Sequence, residues 1–94
     1  MRIRWLKRAL LDLGEAESYI SRDNPVAAAE VVLKVVKAVS FLEQQPGLGR
    51  HGRVPGTKEL VVSGTPYVVP YRVKEDTIQV LRVYHSYRKW PERL

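Results

Sequence analysis

The residues of this 94-residue chain that could do chemistry are mostly cations, with one well-placed histidine and several tyrosines. Arg72 and Arg82 fall in neighbouring strand-like runs. An arginine can hold a phosphate through two parallel hydrogen bonds, and cutting RNA without a metal needs such a group to stabilise the pentacoordinate phosphate. His85 closes the last apolar run, and histidine can give or take a proton near neutral pH. The same three residues have a plain structural reading. The arginines pair with Glu59 or another acid, and His85 bonds a backbone carbonyl at a strand end.

A second set suits binding better than catalysis. Arg50, His51 and Arg53 lie in a Gly/Pro-rich stretch, Lys58 follows it, and Tyr87, Arg88, Lys89 and Trp90 form a basic, aromatic tail. Exposed arginines beside tyrosines can stack on bases or grip an acidic peptide. The alternative for Trp90-Pro91 is a hydrophobic plug that pins the tail. No phosphate-binding Gly loop, nucleophile elbow or His-Glu-x-x-His occurs. Two histidines 34 residues apart, without an acid cluster, make a poor metal site. Neither a metal nor a cofactor is expected, and whether the chain is an enzyme stays open at this point.

Charge points to a partner. The net charge is +6, and it is uneven: residues 1–46 hold seven Lys/Arg against six Asp/Glu, residues 47–94 nine against four. A basic half on a small protein favours nucleic acid or an acidic protein segment. The length suits a single domain over residues 1–94, with a modest core. No cysteine is present, so packing or a partner must stabilise it. No apolar run approaches the roughly 20 residues that span a membrane, and the N-terminus lacks the apolar centre of a signal peptide. A cytoplasmic location, away from the membrane, is expected.

The elements that must position these residues are legible as a series. Residues 3–6 read as a short strand. From Lys7 the apolar period becomes helical, with Ala9, Leu13, Ala16 and Ile20 on one face, widened by Leu6 and Leu10, and Asp12, Glu15 and Arg22 pointing away. Asn24 and Pro25 form a cap and first-turn pair for a second helix reaching about residue 44. Its buried stripe is Ala28, Val31, Val35, Ala38 and Leu42. Residues 46–57 form one long loop, with four glycines, two prolines and no acid. Strands then follow over 59–63, 67–74 and 77–84, joined by turns at 64–66 and 75–76. Pro70 cannot donate to a ladder, so a bulge or an open position is expected there. The fold class is α+β, in the order β-α-α-β-β-β, with a helical hairpin packed on an antiparallel sheet.

Three strings carry a family resemblance: Gly-Thr-Lys-Glu-Leu-Val-Val (56–62), Tyr-Val-Val-Pro-Tyr-Arg-Val (67–73) and Val-Leu-Arg-Val-Tyr-His (80–85). With Ile3-Arg4-Trp5 followed by Ala9, Leu10, Asp12 and Leu13, the chain resembles the RelE/ParE superfamily of bacterial type II toxins over nearly its whole length. The resemblance implies growth inhibition, neutralised by a cognate antitoxin that wraps an acidic, partly disordered segment around the toxin. It implies one of two targets. ParE-like members are described as inhibitors of DNA gyrase, and RelE-like members cut mRNA in the ribosomal A site without metal. RelE-like nucleases tend to carry an arginine just after the aromatic that opens the middle strand, and here Val68 holds that place, with Arg72 four residues on. The expectation leans to gyrase, with Arg50, Arg53, Lys58, Tyr87, Arg88 and Lys89 contacting the target. The alternative is the nuclease, using Arg72, Arg82 and His85. A third reading is a non-toxic basic module that binds nucleic acid.

Overall fold

The computed structural model describes residues 1–87. Two helices and six strands follow in order: β1 (Arg2–Trp5), α1 (Lys7–Ser21), α2 (Pro25–Ser40), β2 (Arg50–His51), β3 (Lys58–Val61), β4 (Tyr67–Lys74), β5 (Thr77–Val80) and β6 (Tyr84–His85). A 3-10 turn, Phe41–Glu43, extends α2 close to the end expected from its periodicity. Asn24 caps α2 by accepting from the Ala27 N–H at 3.1 Å, with Pro25 in the first turn. By contrast, α1 begins with no side-chain cap and no acid in its first turn. Lys7 and Arg8 stand there instead, against the helix macrodipole, at a cost of about 0.3–1 kcal/mol each.

The sheet runs β1-β5-β4-β3-β2, with β6 also on β4. The α+β architecture is as expected, but the sheet is mixed rather than wholly antiparallel, because β1 lies parallel to β5. A parallel neighbour requires a long crossover, and the helical hairpin with the first strands of the meander supplies one. The inner edges of β3, β4 and β5 are taken by their own hairpins, so β1 joins the free edge of β5. The register pairs Ile3 with Ile78 and Trp5 with Val80, placing both β1 side chains on the core face.

That core face is closed by the helices. Ala9, Ala16, Val35, Val39 and Leu42 meet Leu60, Val62, Val69, Tyr71, Ile78 and Val80 in one cluster. The helical stripes are therefore largely as read from the period of 3.6. Leu10 is an exception, standing 53% exposed.

The stretch 46–57 is not structureless. Tyr71, fully buried, donates its hydroxyl hydrogen to the Pro46 carbonyl at 2.7 Å and accepts from the Gly49 N–H at 2.8 Å. Gly49 lies so close to the ring that a Cβ there would meet Tyr71 atoms at 2.7 Å. Arg50 and His51 then pair with Glu59 and Lys58 as β2. Further on, Gly52 donates to the Thr57 carbonyl at 2.9 Å and closes the remaining turn.

Tyr71→Phe removes both hydroxyl bonds and is expected to cost about 1–3 kcal/mol, measured by denaturant unfolding. Burial raises the Tyr71 pKa, opposed by the Gly49 hydrogen bond. The neutral hydroxyl is the folded form, so its contribution is complete below the unfolded value near ~10. It fades as pH rises through the higher folded value. As pH rises from the unfolded value of ~10 to the higher folded value, the wild type is expected to lose stability more steeply than the Tyr71→Phe variant. Equal slopes would contradict the assignment.

Candidate functional site

The last strand carries the feature that shapes the site. Tyr71 pairs with Val80 and Val68 with Tyr84, so three residues of the later strand oppose two of β4. Leu81 and Arg82 both donate to the Pro70 carbonyl, at 2.9 and 3.5 Å, which makes a β-bulge. A strand residue points its N–H and C=O to the same neighbour, so Pro70 lacks its donor on this side, where the bulge opens the ladder. The expected disturbance at Pro70 is thus present. What could not be read was its effect on the partner strand, which splits into β5 and β6. The extra residue reverses the side-chain alternation, so Val83 and His85 take the side of the core residues.

Arg82 turns to α1. Its Nε and a terminal nitrogen donate to the two Asp12 carboxylate oxygens at 2.7 and 3.0 Å, a bidentate pair. The Val83 N–H donates to the same carboxylate at 3.0 Å. Only 19% of the Arg82 side chain and 12% of Asp12 remain exposed. The guanidinium also lies 4.7 Å from the Tyr84 ring centroid. The hydrogen bond that Arg82 donates to Asp12 raises the Arg82 pKa further above its ordinary value. Burial likewise raises the Tyr84 hydroxyl, while Arg82 pulls it down. Asp12, expected to point away, faces the sheet because the bulge brings a guanidinium and an N–H to its side of α1.

His85 pairs across the sheet with Tyr67, whose ring it meets edge-on at 5.5 Å between centroids. Its Nδ1 accepts from the Tyr87 N–H at 3.2 Å. Arg72 lies on the opposite face of the sheet, its Nε donating to Gln79 Oε1 at 2.6 Å. The three residues weighed for catalysis do not share one cavity. Arg82 and His85 line a groove along α1, whereas Arg72 and Arg82 line a cavity at the start of α1.

The binding candidates also divide. Arg50 and Arg53 are gathered by Glu59, a carboxylate only 2% exposed. Glu59 accepts from Arg50 at 3.3 Å and from the Arg53 N–H at 2.7 Å, with the Arg53 guanidinium at 3.8 Å. Both arginines stay about half exposed, on the sheet face away from the helices. Lys58 pairs in register with Tyr71 and so lies on the other face. Tyr87 is 90% exposed beside His85. Arg88, Lys89 and Trp90 lie outside the described residues. Asp12 was expected on the outward face of α1 and not in the site, since a lone helical acid carries no sign of which face will be covered.

Comparison with known proteins decides the family. A model of the ParE toxin of the type II toxin-antitoxin system parDE matches residues 3–90. This chain belongs to the ParE toxin family. It is 45% identical over 93 residues to a putative toxin, Y4kP, of Sinorhizobium fredii, covering 99% of this chain and 96% of that one. It is 34% identical to Toxin RelE2 of Caulobacter vibrioides over 84 residues, covering 89% and 93%. A solved structure described as a chromosomal ParDE TA system from P. aeruginosa superposes with a TM-score of 0.83 at 33% identity, covering 90% of this chain and 95% of the other.

This ParE-family protein is therefore a type II toxin, made to be held by a cognate antitoxin. Its sheet register adds a feature invisible in the sequence. Arg4 and Arg72 flank Gln79 from either side, and Arg2 and Lys74 flank Thr77 in the next row. All four cations are exposed, and their register sets them on the sheet face opposite Ile3, Trp5, Tyr71, Ile78 and Val80 of the core.

Proposed function

We propose that this ParE-family toxin inhibits DNA gyrase, using the cationic face of the sheet as its contact surface. Arg50, Arg53, Lys58, Tyr87, Arg88 and Lys89 are the contacts first expected; Lys58 shares the face of Tyr71 and is set aside, and Arg72 is added. The observation that carries this reading over cleavage is the state of Arg82. Its guanidinium is held by both Asp12 oxygens, so taking a phosphate there means breaking a partly buried ion pair. Val68, where RelE-like nucleases tend to have arginine, supports it too. The antitoxin is the natural counterpart of the same charge, and an acidic, partly disordered segment fits a protein of net charge +6. Among the described residues no helix is long and apolar enough to cross a membrane, which suits a cytoplasmic target.

The second reading is metal-independent mRNA cleavage with His85 as the proton-transfer group, and the Caulobacter relative named as a RelE toxin speaks for it. Two assays separate them. Purified toxin is expected to inhibit gyrase supercoiling of a relaxed plasmid, and primer extension on translated mRNA is expected to show no cuts within A-site codons. Cuts that vanish in His85→Ala, with supercoiling untouched, would replace gyrase by the ribosome. Growth that does not stop on induction would leave only a non-toxic nucleic-acid module.

A further inference from the structure

A cavity of about 500 Å³ opens between the start of α1, the turn of residues 54–57 and the far end of β4. Lys7, Arg8 and Arg72 line it, together with Arg82. Arg82 is already neutralised by Asp12. The other three have no carboxylate partner among the described residues, and no acid lines the cavity. Arg72 is oriented by Gln79 through its Nε, which leaves the terminal nitrogens of its fork available. Arg72 also stands in one row with Gln79 and Arg4 across the sheet. Like charges from α1 and β4 are thus collected with no carboxylate among the described residues in an ion pair with them. Two of them stand in a helix turn that favours acids.

We infer that this cavity is a binding site for a phosphate of a nucleic-acid backbone, held by Lys7, Arg8 and Arg72. One point charge and two planar forks, from two elements, can surround a tetrahedral oxyanion, whereas a flat carboxylate is matched by a single fork. The turn of Val54, Pro55 and Gly56 and the side chain of Leu81 supply an apolar wall on which a sugar can rest. The site goes beyond gyrase inhibition and does not depend on it, because the toxin would hold the backbone with or without the enzyme.

The test is binding of the purified protein to a labelled 20-mer, offered as duplex DNA, single-stranded DNA and RNA, over a range of salt. Lys7→Ala/Arg72→Ala is expected to weaken binding roughly ten- to a hundredfold at 0.1 M salt. It is expected to lower the slope of log K against log salt by about 2 for duplex and somewhat less for single strands. Lys34→Ala/Lys37→Ala removes the same charge from α2, across the molecule, and is expected to change both far less. All four residues are exposed, and circular dichroism checks that each variant is folded. Which of the three polymers shows the loss identifies the source of the phosphate. Equal losses from both double variants would reduce the effect to net charge and overturn the site. So would polyglutamate competing as well as the polymers and losing as much from Lys7→Ala/Arg72→Ala, since the pocket would then serve an acidic polypeptide. Gyrase inhibition measured beside it fails or holds separately.

Discussion

Asp12→Ala is expected to destabilise the toxin by about 2–3 kcal/mol. The carboxylate accepts from both donors of the Arg82 fork and from the Val83 N–H, and all are largely covered. Removing it strands a guanidinium and a backbone donor away from water, which is the expensive way to break such a pair. For a chain of this size the loss corresponds to a fall in Tm on the order of 10–20 °C. Arg82→Ala should cost less, about 1–2 kcal/mol, because Asp12 keeps the Val83 N–H. The two changes are expected to be non-additive by about 1–2 kcal/mol in a double-mutant cycle followed by thermal melts. Single variants within about 0.5 kcal/mol of wild type would show that the bulge holds without this pair. The same experiment guards a functional inference. Toxicity lost by Arg82→Ala should return when the temperature is lowered enough to refold it, whereas a folded, inactive Arg82→Ala would give Arg82 a direct role at the target.

Glu59→Ala is expected to release the basic segment between α2 and β3, at a cost of about 2–3 kcal/mol. The substitution empties a buried site and leaves the Arg53 N–H without its acceptor, while Arg50 loses its ion pair. The half-exposed arginines contribute little to that figure, since solvent screens their charges. Glu59→Gln keeps the shape and one acceptor, so a smaller loss of about 1 kcal/mol is expected. Limited trypsin digestion reads the effect where it occurs. Cleavage after Arg50 and Arg53, followed by mass spectrometry, should accelerate strongly in Glu59→Ala and modestly in Glu59→Gln. Unchanged protection would mean that Tyr71 alone orders the segment.

Much of this fold could be read locally. The cap at Asn24 and Pro25, the valine stripe of α2 and the eight-residue β4 are short-range patterns of hydrogen bonding and apolar period, and each stands where it was expected. The turn at residues 75–76 is there as well, with Glu75 at a positive φ of 56°. Even the disturbance at Pro70 follows from one missing N–H. The candidate site was harder to read. Arg72, Arg82 and His85 were legible as chemically able residues. The directions of Arg82 and His85 were not, because one inserted residue reverses the alternation of every side chain after it.

The chain order, the helical faces, the strand-forming runs, the excess of cations and the resemblance to a toxin family are written in residue type and spacing. They depend on interactions a few residues apart. The parallel seat of β1, the ion pair between residues 12 and 82, the gathering of Arg50 and Arg53 by Glu59 and the cluster of Lys7, Arg8 and Arg72 belong to the tertiary structure alone. Each joins segments far apart in sequence, where local propensity carries no record of the partner. Packing of the helices on one face of a bulged sheet decides which cations are neutralised and which are left facing solvent, and hence where an anionic partner can dock.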